Sequence, residues 1–281
     1  MATLALAFLF GASFPAAHAT SLAIDGTADY QGACTPFCTA TLTTTSTNDV
    51  IIVFFTSVPT PAGTPPVTDA DSLSWSLRTS VSNTGGILYE YWATSAAALT
   101  ADAIKVSAGI AGTTGTIYAF GVSGANTASP FDPHGGIPAT VMGTSTPFTL
   151  AITTTNANDM IIGAIQGSST QFAVAAPNTE VDAQCFGTAA ISCVSYDIVS
   201  SAGSYSSSFT SAGPAASEQI TDALTAGAGP SVPEFPTGLL VLAVPVLAIY
   251  LFMRGKGVSL GARTRPAEAW VQTMLQLASS R

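Results

Sequence analysis

The sequence predicts an all-β fold: a duplicated antiparallel β-sandwich, Ig-like or jelly-roll-like, followed by one C-terminal transmembrane helix. Three observations support this prediction. Only 8% of the 281 residues are charged, and the chain is rich in Thr and Val, whose branched side chains pack well on a pleated surface. Short stretches of alternating apolar and polar residues recur between Gly- and Pro-rich turns. A long apolar run near the C terminus has no charged residue.

Residues 1–19 are typical of a secretory signal peptide. The stretch "MATLALAFLFGASFPAAHA" is apolar and ends in small residues, with Ala17-His18-Ala19 as an A-x-A cleavage site, although it lacks a basic n-region. We therefore expect the part of the chain that follows to be exported.

The expected exported part contains an internal repeat. The stretch "TLTTTSTNDVIIV" from Thr41 matches "AITTTNANDMIIG" from Ala151, and "YEYWATSA" from Tyr89 matches "YDIVSSAG" from Tyr196. A repeat this long indicates duplicated domains. We predict a first β-sandwich repeat over 20–124, a Gly- and Pro-rich linker over 125–147 and a second β-sandwich repeat over 148–226. The two halves could form two sandwiches or one.

Within the repeats, alternating stretches such as "SLSWSLR" and "IYAFGVSGANTASPFD" predict half-buried strands joined by turns. Together with the "TNDVII" and "ANDMII" starts and "YEYWATSAAAL", they resemble a β-sandwich module of surface and phage-associated proteins. The resemblance implies the fold, and no activity comes with it.

All four cysteines lie in the expected exported part, where an even number indicates disulfides. Four cysteines allow three connectivities, and local pairing, Cys34 with Cys38 and Cys185 with Cys193, is the simplest. A site in which all four thiolates bind one metal ion is the alternative, but neither pair has C-x-x-C spacing.

The C-terminal region is typical of a membrane anchor. A stalk over 227–236 precedes an apolar run over 237–253, which as a helix would rise about 26 Å, the short end of what crosses a bilayer. Between Thr20 and Val232 lie 14 acidic and two basic residues, whereas the tail over 254–281 has five basic residues and one acidic residue. The positive-inside rule predicts a single-pass protein with its N-terminal part outside the cell and its tail in the cytoplasm.

Pro233, Glu234 and Phe235, followed by the apolar run and a basic cluster, resemble the PEF-type C-terminal sorting signal of archaeal surface proteins, which archaeosortases read. The resemblance implies cleavage near this motif by an archaeosortase-like enzyme and transfer to a surface anchor. The chain departs from that pattern because it continues over 257–281 beyond the basic cluster.

Few side chains offer chemistry. His134 and Asp132 in "FDPHGG" lack a nucleophile motif such as G-x-S-x-G, which favours a simple turn. Asp69 and Asp71 in "VTDADSLSW" could offer oxygen ligands to Ca²⁺, although the loop lacks the D-x-D-x-D-G ladder and a solvated turn is the alternative. We expect no other cofactor.

The alternation in "YEYW" suggests a binding surface. One set of side chains is expected to face outward, either the two tyrosines or Glu90 with Trp92, and the second set is the candidate glycan-binding surface. Glu90 and Asp197 would occupy matching positions in the two repeats. Paired carboxylates can hydrolyse glycosides, but outward-facing strand residues are the favoured interpretation.

These observations predict a non-enzymatic cell-surface protein, anchored in the membrane or envelope, with a structural or adhesive role. Its expected partners are the membrane, envelope glycans, neighbouring surface proteins and the processing enzyme. The net charge of −9 argues against nucleic acid, whose phosphates need Lys and Arg. The alternative is a carbohydrate-binding surface module that could depend on Ca²⁺.

Overall fold

The structure is a computed structural model, and it describes residues 21–83, 86–107, 113–167, 171–182, 185, 191–213 and 216–227. These residues form antiparallel β-sheets, which confirms the all-β prediction. Among them, no helix has the length and apolarity that crossing a bilayer requires. The predicted signal peptide, sorting motif, transmembrane helix and basic tail lie outside the described residues.

The first repeat is a sandwich of a five-stranded and a three-stranded sheet. Its strands are β1 (Ala23–Ala33), β2 (Phe37–Leu42), β3 (Asp49–Val58), β4 (Val67–Thr68), β5 (Ser76–Asn83), β6 (Gly86–Ser95), β7 (Asp102–Ser107) and β8 (Thr114–Ser123). The strand order is β1-β8-β3-β6-β5 in the larger sheet and β2-β7-β4 in the smaller one.

The second repeat has the same architecture. Its strands are β9 (Ala139–Gly143), β10 (Phe148–Thr154), β11 (Asp159–Gly167), β12 (Phe172–Val174), β13 (Thr179–Glu180), β14 (Ile191–Val199), β15 (Gly203–Ser211) and β16 (Ser217–Thr225). The orders β9-β16-β11-β14-β13 and β10-β15-β12 reproduce those of the first repeat strand for strand. Strand β9, the counterpart of β1, lies inside the segment that the sequence assigned to the linker.

The two sandwiches form one stack of four sheets. A single apolar cluster draws buried side chains from the five-stranded sheets of both repeats, including Ile52 and Phe54 of β3 and Met160 and Ile162 of β11. Separate clusters lie between each five-stranded sheet and its three-stranded partner. We call the five-stranded sheets inner sheets 1 and 2 and the three-stranded sheets outer sheets 1 and 2, numbered by repeat.

This stacking explains the composition of the central strands. Every residue of β11 is buried, and every residue of β3 except the last is buried. A strand that is covered on both faces needs apolar residues at successive positions rather than at alternate ones. The runs "DVIIVFF" and "DMIIGAI" have that pattern.

The register of the central strands corrects one predicted correspondence between the repeats. Phe54 of β3 faces Glu90 on β6. Ala164, 110 positions after Phe54 in the sequence, faces Val194 on β14. The counterpart of Glu90 is therefore Val194 and not Asp197, because the two "Y" motifs that suggested the match are displaced relative to each other in the sheets.

The cysteines pair locally. Cys34 is bonded to Cys38 and Cys185 to Cys193, as the sequence analysis favoured. The first disulfide is buried in the apolar layer between inner sheet 1 and outer sheet 1. The second covers the end of the layer between inner sheet 2 and outer sheet 2.

Candidate functional site

The alternating side chains of β6 point toward other sheets on both faces. Tyr89 and Tyr91 pack between inner sheet 1 and outer sheet 1. Glu90 is completely buried, and Trp92 packs against the apolar layer between the two inner sheets. The prediction that one set faces solvent is wrong, because the second repeat covers the face that water would otherwise reach. In this position Glu90 has no surface to offer a glycan.

An ion pair crosses the layer between the inner sheets. Arg78 on β5 donates to Asp222 on β16, with 2.8 Å between Nε and Oδ2. The guanidinium also lies over the ring of Phe131, 4.1 Å from its centroid. The Asp222 side chain is fully buried, whereas that of Arg78 retains 22% exposure. Because loss of one partner would strand a buried charge, the pair favours one arrangement of the two repeats.

Glu90 lies beside this ion pair in surroundings that favour its neutral form. Burial, reinforced by the negative charge of Asp222, raises the pKa of Glu90 well above its usual value, and Arg78 only partly offsets the rise. Neither carboxyl oxygen of Glu90 accepts a hydrogen bond from the described residues. A protonated Glu90 can donate a hydrogen bond to Asp222. The proton then neutralises Glu90, and the Arg78 guanidinium balances the charge of Asp222.

A second buried acid connects the repeats at the start of β16. The backbone N–H of Asn83 on β5 donates to Glu218 Oε1 at 3.3 Å. With its amide turned toward the acid, Gln166 donates to both carboxyl oxygens at 2.9 Å. Burial raises the pKa of Glu218 to about 8 in spite of the Asn83 hydrogen bond. The layer between the repeats therefore holds acids that are more stable in their neutral form.

In the second repeat, two carboxyl groups meet at the turn before the central strand. Asp132 accepts hydrogen bonds from the backbone N–H groups of Thr155 and Asn156, at 2.8 and 3.0 Å, and from the Asn156 side chain at 2.9 Å. It faces Asp159, which is completely buried. Burial and then the neighbouring Asp132 raise the pKa of Asp159 to about 7. The two acids can share one proton, as like charges in contact do.

The first repeat builds the same turn. Asp25 accepts from the hydroxyl of Thr45 and from the backbone N–H groups of Thr45 and Ser46. Although burial opposes it, these hydrogen bonds lower the pKa of Asp25 to about 2, while burial and then Asp25 raise that of the buried Asp49 to about 6. The repeated Asn-Asp sequence, Asn48-Asp49 and Asn158-Asp159, therefore lies at a paired-acid turn that starts each central strand.

Of the two predicted calcium ligands, Asp69 makes hydrogen bonds within its own loop. Asp69 accepts hydrogen bonds from the backbone N–H of Leu73 at 3.0 Å and from Trp75 Nε1 at 2.6 Å. Asp71 is exposed. Within the described residues, the only three metal-ligating side chains whose ligand atoms lie within 4.8 Å of one another are Glu180 and the two cysteines of the second disulfide. Calcium binding at Asp69 and Asp71 stays a prediction.

His134 has no catalytic arrangement with its neighbouring aspartate. Asp132 accepts a hydrogen bond from the backbone N–H of His134 at 2.8 Å rather than from its ring. The ring nitrogen Nδ1 accepts from the backbone N–H of Gly136 at 3.2 Å. Both contacts shape a turn, as the sequence analysis favoured.

A cleft of about 490 Å³ opens where the linker meets the second repeat. Three segments form it: the linker, the turn between β10 and β11, and the end of β16. Among its lining residues are Asn126, Ser129, Phe131, Asn156, Ala157 and Thr225. Among the described residues, none that lines the cleft is charged. The sequence analysis did not single out these residues, and the Asn-rich stretch "TTTNAND" was the one local sign of exposed hydrogen-bonding groups beside a strand.

Comparison of the chain with known protein families, with curated protein sequences and with solved structures finds no match.

Proposed function

We propose that the chain is an exported surface protein, anchored in the membrane or envelope, whose stacked sandwiches have a structural or adhesive role without catalysis. The observation that carries the proposal is the pairing of its cysteines in two disulfides within a four-sheet stack, which fits an oxidising exterior. The proposed location at the cell surface is supported by three sequence features: the signal-peptide-like start, the apolar run over 237–253 and the basic tail.

The positions of the acidic residues favour a role without catalysis. Glu90, which the sequence offers for glycoside hydrolysis, is completely buried between the inner sheets. The carboxylate of Asp132 accepts hydrogen bonds from backbone and side-chain donors of the neighbouring turn. A general acid or base must reach the substrate directly or through one water molecule, and neither carboxyl group is placed to do so.

The free face of outer sheet 2 supports an adhesive role. Thr149 on β10 faces Ser208 on β15, with 2.8 Å between the hydroxyl oxygens, and Thr153 faces Ser204 in the same ladder. Hydroxyl groups both donate and accept hydrogen bonds. A face of small hydroxyl side chains suits contact with envelope glycans or with a neighbouring copy.

Two forms of anchoring are compatible with this proposal, and they differ in whether the mature protein keeps its C-terminal segment. In one, an archaeosortase-like enzyme cuts near Phe235 after reading the motif of Pro233 and Glu234. In the other, the apolar run stays as a single membrane span with its tail in the cytoplasm. We expect the chain in the membrane or wall fraction of cells. Peptide mass spectrometry separates the forms, because peptides from 257–281 remain only on the uncut protein. An intact chain in the cytosolic fraction would contradict both forms.

A carbohydrate-binding surface module is the second candidate function. The observation that favours it is the cleft beside Phe131, whose described lining residues carry no charge.

A further inference from the structure

We propose that the cleft between the linker and the second repeat is a binding site for a neutral sugar of one or two pyranose units. The site rests on the proposed function, since it would give a surface protein its contact with envelope glycans. A volume of about 490 Å³ lies within the usual range of small-molecule sites. The cleft is built from three segments that are distant in sequence, and each is held by hydrogen bonds or ring contacts.

The linker is attached firmly enough to form a wall. Its backbone forms bridges to β16, from Phe131 to Leu224, and to the residue directly after β16, from Ala125 to Ala226. The hydroxyl of Thr225 donates to the carbonyl oxygen of Ser129 at 3.0 Å. A site with fixed walls loses little conformational entropy when a ligand binds.

Two asparagines supply complementary hydrogen-bonding groups. Asn126 accepts with its side-chain oxygen from the backbone N–H groups of Ala128 and Ser129, at 3.1 and 3.2 Å, which leaves its NH₂ group as a donor. Asn156 donates its NH₂ group to Asp132 at 2.9 Å, which leaves its side-chain oxygen as an acceptor. Sugar hydroxyls donate and accept at once, so this pair of groups matches their chemistry.

Phe131 supplies the apolar wall. Arg78 covers one face of its ring at 4.1 Å, and Trp92 meets the ring edge-on with centroids 5.5 Å apart at 84°. These contacts hold the ring in one orientation. A ligand in the cleft meets the part of the ring that Arg78 and Trp92 leave free, and the C–H face of a pyranose is the apolar surface that packs there. Trp92 thus acts behind the site as a positioning residue.

The absence of charge in the lining selects the ligand class. Phosphate- or carboxylate-bearing ligands are recognised by Arg, Lys or clusters of backbone N–H groups, and cations by carboxylates. In the part of the chain that the structure describes, the lining residues of this cleft are Asn, Ser, Thr, Phe, Pro and Ala. A ligand without charge, rich in hydroxyl groups and with one apolar face, fits this surface.

The test is saturation-transfer NMR on the purified full-length chain, kept in a detergent without a sugar headgroup. The ligands are neutral hexoses, N-acetylhexosamines and their disaccharides, with a uronic acid for comparison. We expect saturation transfer to at least one neutral sugar. Ala157→Trp places a large ring in the cleft at an exposed position and should abolish the transfer.

Two further variants isolate the site from general effects of substitution. Thr47→Trp is the matched control, because Thr47 is the exposed residue at the same place in the first repeat, and it should keep full binding. Asn156→Ser installs the residue that the first repeat has at position 46. It keeps the backbone hydrogen bond to Asp132, removes the amide oxygen and should weaken binding about tenfold.

Three results would overturn the site. The first is that no neutral sugar binds with a dissociation constant of about 10 mM or below, the range expected for a small ligand. The others are that binding survives Ala157→Trp, or that the uronic acid binds better than its neutral parent. Such a result leaves the proposed function standing if the chain is still found in the membrane or wall fraction. Recovery of the intact chain in the cytosol would contradict the proposed function whatever the NMR result.

Discussion

Replacing Arg78 with Met tests whether the buried ion pair holds the two repeats together. Methionine keeps much of the apolar length of the side chain and removes its charge. Asp222, which is fully buried, would then lie beside Glu90 without a cation. Removing one partner of a buried pair costs about 3–5 kcal/mol. Because Arg78 retains 22% exposure, we expect the lower end of that range, a loss of about 3 kcal/mol in the free energy of unfolding.

The loss should depend on pH with a defined sign. Burial already raises the pKa of Asp222 against the opposing effect of Arg78, and removing the guanidinium raises that pKa further. For an acid whose folded-state pKa is raised, stability is fully present below the unfolded pKa of about 4 and is lost as pH rises through the folded value. Arg78→Met should therefore cost much less at pH 4 than at pH 8.

The assay is urea unfolding of the purified chain at both pH values, followed by tryptophan fluorescence. Lys105→Met is the control, because Lys105 is an exposed cation on outer sheet 1 and its loss should change the free energy of unfolding by less than about 0.5 kcal/mol. A cost below about 1 kcal/mol for Arg78→Met, or an equal cost at pH 4 and pH 8, would refute the reasoning.

Three further outcomes follow from the buried acids, the close sheet packing and the disulfides. Because the pKa of Glu218 is raised from 4.5 to about 8, the melting temperature should fall as pH rises from 4.5 to 8, and Glu218→Gln should flatten that fall; an unchanged slope would contradict it. Gly163→Ala, whose Cβ would overlap a serine of β15, should cost about 2–3 kcal/mol, whereas Gly63→Ala, with no neighbour within 4 Å, should be neutral in the same unfolding assay. Under native conditions a reductant should open the Cys185–Cys193 disulfide before the completely buried Cys34–Cys38 disulfide, as alkylation and mass spectrometry can show; the reverse order would refute this.

Much of the fold was predictable because its information is local. Alternation and turn residues predicted strands, and the repeated Thr-rich stretch with Asn-Asp before an apolar run predicted two similar halves. The stacking of the halves was not predicted, although the runs at β3 and β11 carry its signature in successive apolar residues. Alternation in "YEYW" shows that a strand has two different faces. It does not show whether the second face meets water or another sheet, which is why Glu90 was expected at the surface.

The candidate site was less predictable than the fold. Asn126, Asn156 and Thr225 line one cleft but come from three segments that only the tertiary fold brings together. Each is an ordinary turn or strand-end residue in its own local sequence. The ion pair is hidden for the same reason, since 144 positions separate Arg78 from Asp222.

The apolar layer between the two inner sheets suggests how such a chain can arise from a single repeat. A polypeptide with a single repeat would expose the apolar inner face that includes Ile52 and Phe54, and two copies would cover it by forming a homodimer. Fusion of the two genes makes that association intramolecular and independent of protein concentration. It also frees the halves to diverge: Glu90 has Val194 as its counterpart. A symmetric dimer with this acid would contain it twice, whereas the present chain has one copy, beside the single ion pair of Arg78 and Asp222.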